Sequence, residues 1–198
     1  MSRSSVSPGS GGTVKGVGLA NTRRFTVEKH GEVGWTRLLE RLSVEDREVL
    51  SSAITAGWYD IALIDRVNHA FAECCGGLGA ARELGRYAAE QDLKTIHRMF
   101  LRLAYPAYAL EKCVELWRRY NTTGQWSVER PAPNHVRATL RGWGERDTAT
   151  CARLTGHLER LLELVGARNA TVEHSRCVAR GDEACVFEGK WGQMLGGG

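Results

Sequence analysis

Along most of the first half of the chain the apolar positions recur with a helical period. From about Gly34 to Tyr120, Ile61, Leu63, Ile64 and Val67 mark one stripe and Leu84, Tyr87 and Ala88 a second; Leu93, Ile96, Phe100 and Leu103 continue it past Asp92. Ser43-Val-Glu-Asp46 predicts the opening of a helix, because a serine hydroxyl accepts a free amide three residues on. Pro106 suits an early helical position, starting a helix through Leu110, Val114 and Trp117 that stops near Asn121 to Gly124. Gly76-Gly77-Leu78-Gly79 reads as a loop between helices, since no strand precedes it and no Lys-Ser/Thr pair follows.

After Gly124 the period becomes two. Trp126 and Val128 alternate with polar neighbours, Pro131 to Asn134 turns the chain, and Val136, Ala138 and Leu140 share one face. A helix follows from the N-cap Asp147 to Val165, closed by Gly166, with Cys151, Leu154, Leu158, Leu161, Leu162 and Val165 on its apolar stripe. Two further strands span roughly 170–177 and 184–191, around an Arg180-Gly181-Asp182 turn. The fold class is therefore α+β: a helical half over 33–121, then a β-β-α-β-β half over 124–191 whose helix packs on an antiparallel sheet. Together these form a single domain over 13–192, between expected flexible tails at 1–12 and 193–198, which are rich in Gly or Ser.

Composition narrows the function classes. The net charge of +4 over 198 residues, with no run of Lys or Arg beyond two, argues against direct nucleic-acid binding. Charged residues interrupt every apolar stretch short of a membrane span, and the first residues lack the apolar core of a secretory signal. A cytoplasmic protein is expected, and in a reducing compartment its six cysteines are thiols or metal ligands before they are bridges.

The chemistry concentrates near the C-terminus. Cys151, His174, Cys177 and Cys185 are placed by the predicted elements on one helix face and one hairpin. Three thiols and an imidazole can hold a tetrahedral metal such as zinc; the thiols can also pair, or serve as small core residues. Spacing alone does not choose, for there is no CxxC pair. In a regular strand His174 and Cys177 point to opposite faces, so joint ligation requires a bulge near Ser175-Arg176; Glu173, with the parity of Cys177, is the alternative fourth ligand. A cysteine nucleophile at Cys177, served by His174, is the weaker reading. Cys74-Cys75 and Cys113 read as packing. The aromatic residues Trp35, Trp58, Tyr59, Tyr87, Tyr105, Tyr108, Trp117, Trp126, Trp143 and Trp191 suit core or the lining of a pocket for a flat apolar ligand.

The ending H-x-x-C-x3-G-D-x2-C-x-F, behind a β-β-helix unit carrying a cysteine, resembles the 4-vinyl reductase domain family over about 124–191. That family's fold is related to the heme-dependent nitric-oxide sensors and to vesicle-tethering (TRAPP) subunits. Gly57-Trp58-Tyr59, Leu84-Gly85-Arg86 and Leu116 to Tyr120 are similar, more loosely, to uncharacterised bacterial paralogues. The resemblance implies a structural Zn2+ held by Cys151, His174, Cys177 and Cys185, with His174 standing where the family's phenol-responsive sensors carry an acid. It also implies a pocket for an apolar or aromatic small molecule between helices and sheet, and paired protomers. The heme sensors' proximal histidine and tyrosine-serine-arginine signature are not evident, which argues against heme. The expectation is a non-catalytic small-molecule sensor or regulatory domain, acting through a homodimer or an unidentified protein partner. The alternatives are an interaction scaffold and an enzyme acting on a tetrapyrrole or other conjugated substrate.

Overall fold

A computed structural model describes residues 12–95, 114–144 and 146–192. Strand β1 (Thr13–Lys15) leads into α1 (Val17–Glu40), α2 (Val44–Ser52), β2 (Trp58–Asp60), α3 (Ile61–Cys75) and α4 (Gly77–Thr95). After a helical stretch at 114–120 come β3 (Gln125–Ala132), β4 (His135–Arg141), α5 (Thr148–Leu164), β5 (Thr171–Arg176) and β6 (Cys185–Lys190). The four C-terminal strands form one antiparallel sheet in the order β3-β4-β6-β5, and β1 pairs antiparallel with β2.

Local chemistry sets the helix ends. The hydroxyl of Ser43 accepts from Asp46 N at 3.1 Å, Asp60 accepts from Ala62 N at 2.9 Å, and Asp147 from Ala149 N at 2.7 Å. Gly76, at φ 116°, closes α3 in the left-handed conformation that costs glycine least. The expected α+β architecture is present, with two extensions of the expected pattern. Helix structure begins at Val17, well before the boundary at 33, and interrupts itself at Gly31 (φ 67°, ψ −176°). The Gly-rich segment also enters α4 at Gly77 and is not wholly loop.

Two large apolar cores result, with a small cluster of Ala72, Ala81 and Ala149 joining α3, α4 and α5. One joins the inner face of the sheet (Val136, Ala138, Leu140, Val172, Phe187) to Leu158, Leu161 and Leu162 of α5. The other joins α1, α3 and α4 through Leu19, Phe25, Val67, Phe71 and Leu84. Helices α4 and α5 meet at glycines on both sides. A Cβ on Gly85 would overlap the Arg153 carbonyl, and one on Gly156 would overlap the Arg82 carbonyl, so the backbones touch directly. Arg153 crosses from α5 into the helical layer: Nη1 donates to Asn68 Oδ1 at 2.8 Å and Thr22 Oγ1 at 3.0 Å, and Nη2 to Gly18 O at 2.9 Å. Beside it, Arg82 and Arg86 of α4 pair with Glu159 of α5 at 2.6 and 2.8 Å. The seam between the halves is therefore glycine contact plus satisfied polar groups, and it fixes α5 over the sheet.

Candidate functional site

The first turn of α5 aims Cys151 at the sheet, where it is buried. On the opposite wall, β5 and β6 pair in register His174↔Phe187, then shift so that Arg176 faces Val186. That irregularity lies where joint ligation by His174 and Cys177 would need a bulge. It turns Cys177 to the same side as His174 and leaves Glu173 exposed, away from the cluster. The loop after Cys177 is tied back on itself. Asp182 Oδ2 accepts from Cys177 N at 2.6 Å, Cys177 O accepts from Arg180 N at 2.8 Å, and Gly181 at φ 92° makes the reversal. Arg180 Nη2 donates to His174 O at 3.0 Å. The turn triplet thus positions two of the four cluster residues, a role for Asp182 and Arg180 that the sequence reading did not assign; an aspartate five residues beyond a cysteine, next to a glycine, is the signal that could have suggested it.

The donor atoms of Cys151, His174, Cys177 and Cys185 all lie within 4.8 Å of one another. Cys151 Sγ and Cys177 Sγ are 3.7 Å apart. Metal–thiolate bonds of about 2.3 Å in a tetrahedron subtend an edge of about 3.8 Å. The Cys151–Cys177 separation matches such an edge, and no disulfide joins the three thiols. His174 Nε2 is buried and has no hydrogen-bond partner. Leaving such a group unsatisfied costs about 1–3 kcal/mol.

The thiols are electrostatically unequal. A hydrogen bond from Cys151 pulls Cys185 down to about 4; burial opposes this, and His174 and the backbone amide of Val178 reinforce it. Cys151 is pushed up by that same bond to Cys185, by burial, and by the neighbouring Cys177.

The aromatic residues divide between the cores. Trp35 and Tyr87 belong with the helical layer, whereas Trp143, Trp117 and Trp126 form a chain with centroid separations of 5.2 and 5.5 Å. Trp126 then meets Phe187 at 5.7 Å, and Phe187 stacks on His174. Trp58 is exposed beneath the ammonium of Lys15. Tyr105, Tyr108 and Cys113 lie outside the described residues. A separate cleft of about 310 Å³ is lined by Asp46, Asp65, Arg66, His69, Glu73 and Asp147 among others.

No protein-family profile matches the chain, and no curated protein does. Solved structures do match, over nearly their whole length. An H-NOX protein from S. oneidensis in an Fe(II)NO state superposes with a TM-score of 0.68 at 13% identity, covering 90% of this chain and 99% of that one. The Fe(II) unliganded H-NOX protein from K. algicida gives 0.64 at 14%, covering 93% and 100%. A structure from work on heme redox potential and porphyrin distortion gives 0.65 at 13%, covering 93% and 98%. This chain has the H-NOX fold.

These matches correct the expectation of a structural Zn2+. The solved proteins of this fold are Fe(II) and heme proteins, so zinc does not follow from the architecture. The physical reason is that a thiolate–imidazole donor set does not name its ion: several first-row metals accept those ligands, and affinity follows the metal as much as the site. Of the histidines that could serve heme as an axial ligand, five lie among the described residues, each in other surroundings. His69 is engaged by Asp147 at 3.0 Å and His135 by Glu188 at 2.6 Å. His30 lies against Phe25 and Phe71, His157 in the α4–α5 seam where burial lowers its pKa, and His174 among the cysteines. His97 lies outside the described residues. Among the described residues no helix is long and apolar enough to cross a membrane.

Proposed function

We propose that this chain is a small-molecule sensor or regulatory domain built on the H-NOX fold, with a metal ion held by Cys151, His174, Cys177 and Cys185. The observation that carries this reading is the convergence of three thiols and an imidazole nitrogen without a hydrogen-bond partner, on a helix and a hairpin otherwise joined by packing and by the hydrogen bond from Val172 N to Glu159. With four protein donors the ion has no open position, so its part is structural: binding energy becomes folding energy that clamps β5–β6 against α5. The aromatic chain from Trp117 through Trp126 to Phe187 continues from the clamp and supplies a wall for a flat apolar ligand. A ligand seated there would bias the position of His174 through Phe187, and the response would pass to a second copy or a partner protein by population shift. The chemistry is recognition, not catalysis.

Anaerobic titration of metal-free protein with Co2+ tests the site. One equivalent should give an intense thiolate-to-cobalt charge-transfer band, absent in Cys177→Ser, and elemental analysis of protein as purified should find about one ion of a soft or borderline metal per chain. A featureless cobalt spectrum, or a band that survives Cys177→Ser, rejects the assignment.

A further inference from the structure

Cys74 and Cys75 take no part in that cluster. They end α3, half-buried against the helical core and not the sheet core. Consecutive side chains on a regular helix diverge by about 100° around its axis, which separates neighbouring thiols. Here the two Sγ atoms are 3.2 Å apart and both cysteines are free. The Cys74 thiol donates to Phe71 O at 3.6 Å, which turns it back along the helix toward its neighbour's side. Gly76 and Gly77, at φ 116° and 73°, stop the helix immediately behind the pair. Among the described residues no third His, Cys, Asp or Glu joins these sulfurs in a metal-holding group.

We propose that Cys74 and Cys75 form a bidentate dithiol site for trivalent arsenicals. First-row divalent ions require about four donors, and only two are present. A linear two-coordinate ion would hold its sulfurs on opposite sides, roughly two bond lengths apart, and 3.2 Å is too short for that. A pyramidal trivalent centre joins two sulfurs at nearly a right angle, and two bonds of about 2.3 Å meeting so span this separation. It keeps a third substituent, which the half-exposed position accommodates.

The bonding is a condensation. An arsenical R–As(OH)2 and the two thiols give R–As(S–Cys)2 and two waters: two As–O bonds break, two As–S bonds form, and each thiol proton leaves in a water molecule. Arsenic stays trivalent and no electrons are transferred. Burial and the adjacent Cys74 push Cys75 up to about 12, which makes its thiolate scarce and disfavours alkylation or peroxide oxidation. The condensation consumes thiol protons and so is suited to this pair.

Phenylarsine oxide is the probe. After reaction with the full chain, trypsin releases peptide 67–82, which contains Cys74 and Cys75 and none of the other cysteines. That peptide should carry the phenylarsenic group and lose its alkylation by iodoacetamide, and Cys75→Ser should abolish the adduct. Because the folded chain holds the sulfurs together in advance, removing the group should take about tenfold more ethanedithiol than from a synthetic peptide 67–82. An adduct found only on the peptides of Cys151, Cys177 and Cys185, one that persists in Cys75→Ser, or equal ethanedithiol concentrations for chain and peptide each overturn the proposal. The last comparison uses the wild-type chain and holds even if the variant does not fold.

Discussion

His174 stacks flat on Phe187, with ring centroids 4.4 Å apart and planes within 6° of each other. The two residues face each other across β5 and β6 at the last regular register position before the bulge. Phe187 is 1% exposed and holds the imidazole plane while its Nε2 has no hydrogen bond. An apolar ring therefore contributes to the orientation of that imidazole, where a polar partner commonly orients a ligating histidine.

Replacing the ring should consequently affect both packing and ligation. Phe187→Leu is expected to destabilise the fold by about 1–3 kcal/mol through lost contacts and a cavity. It should also weaken metal retention, because His174 gains a range of orientations. Urea unfolding gives the first effect; the chelator concentration that strips cobalt gives the second. Unchanged chelator resistance would show that Phe187 packs without positioning the imidazole.

The cysteines should not be equivalent to a generic core position. Cys177→Ser is expected to lose the ion and to lower stability by at least ~2 kcal/mol, since breaking a metal site removes its share of folding energy. Added chelator should reduce wild-type stability toward that of the variant and leave the variant unchanged. If chelator shifts both proteins equally, the three thiols are core and not ligands.

Much of this was legible in the chain because the residues obey one period at a time. Leu154, Leu158, Leu161 and Leu162 mark α5 against the sheet, and the bulge that β5 contains is the one that joint ligation by His174 and Cys177 would need. The first part of α1 escapes the same test for a physical reason. Its buried face includes Asn21, Thr22 and Thr26 alongside Leu19 and Phe25, so the apolar stripe is broken where the helix receives Arg153. Thr22 accepts from that guanidinium, Asn21 donates to Asp92 and Thr26 donates to Thr22 O, and buried polar residues satisfied in this way look like surface in a sequence. β1 and β2, at three residues each, are too short to show alternation. A thiolate–imidazole donor set narrows the choice to soft or borderline metals without naming one.

The seam between helices offers a sharper structural test. Because a Cβ on Gly85 would overlap the Arg153 carbonyl, Gly85→Ala must push α4 from α5 or bend one of them. The expected cost is about 3 kcal/mol or more, despite the better helix propensity of alanine. Gly79→Ala, on the same helix with open space around its Cβ, should be neutral or slightly stabilising. Thermal unfolding of the pair measures the difference directly; similar midpoints would mean the two backbones are not in contact.

Acid should loosen the same seam from its polar side. Burial raises Glu163, but hydrogen bonds from Arg86 at 2.9 Å and Arg160 at 2.6 Å outweigh it and hold the carboxyl below its ordinary value of 4.5. A carboxylate whose folded pKa is depressed contributes stability above its unfolded pKa and loses it as pH falls through the folded value. The Glu163 contribution is therefore complete near neutrality and disappears in acid below 4.5. Glu163→Gln should cost about 1 kcal/mol near neutral pH, a modest figure because the carboxylate is partly solvated and Arg86 keeps Glu159. In strong acid, where wild-type Glu163 is itself neutral, the two proteins should converge. Urea midpoints across that range decide the matter: parallel curves that never meet would assign the loss to shape, and convergence assigns it to charge.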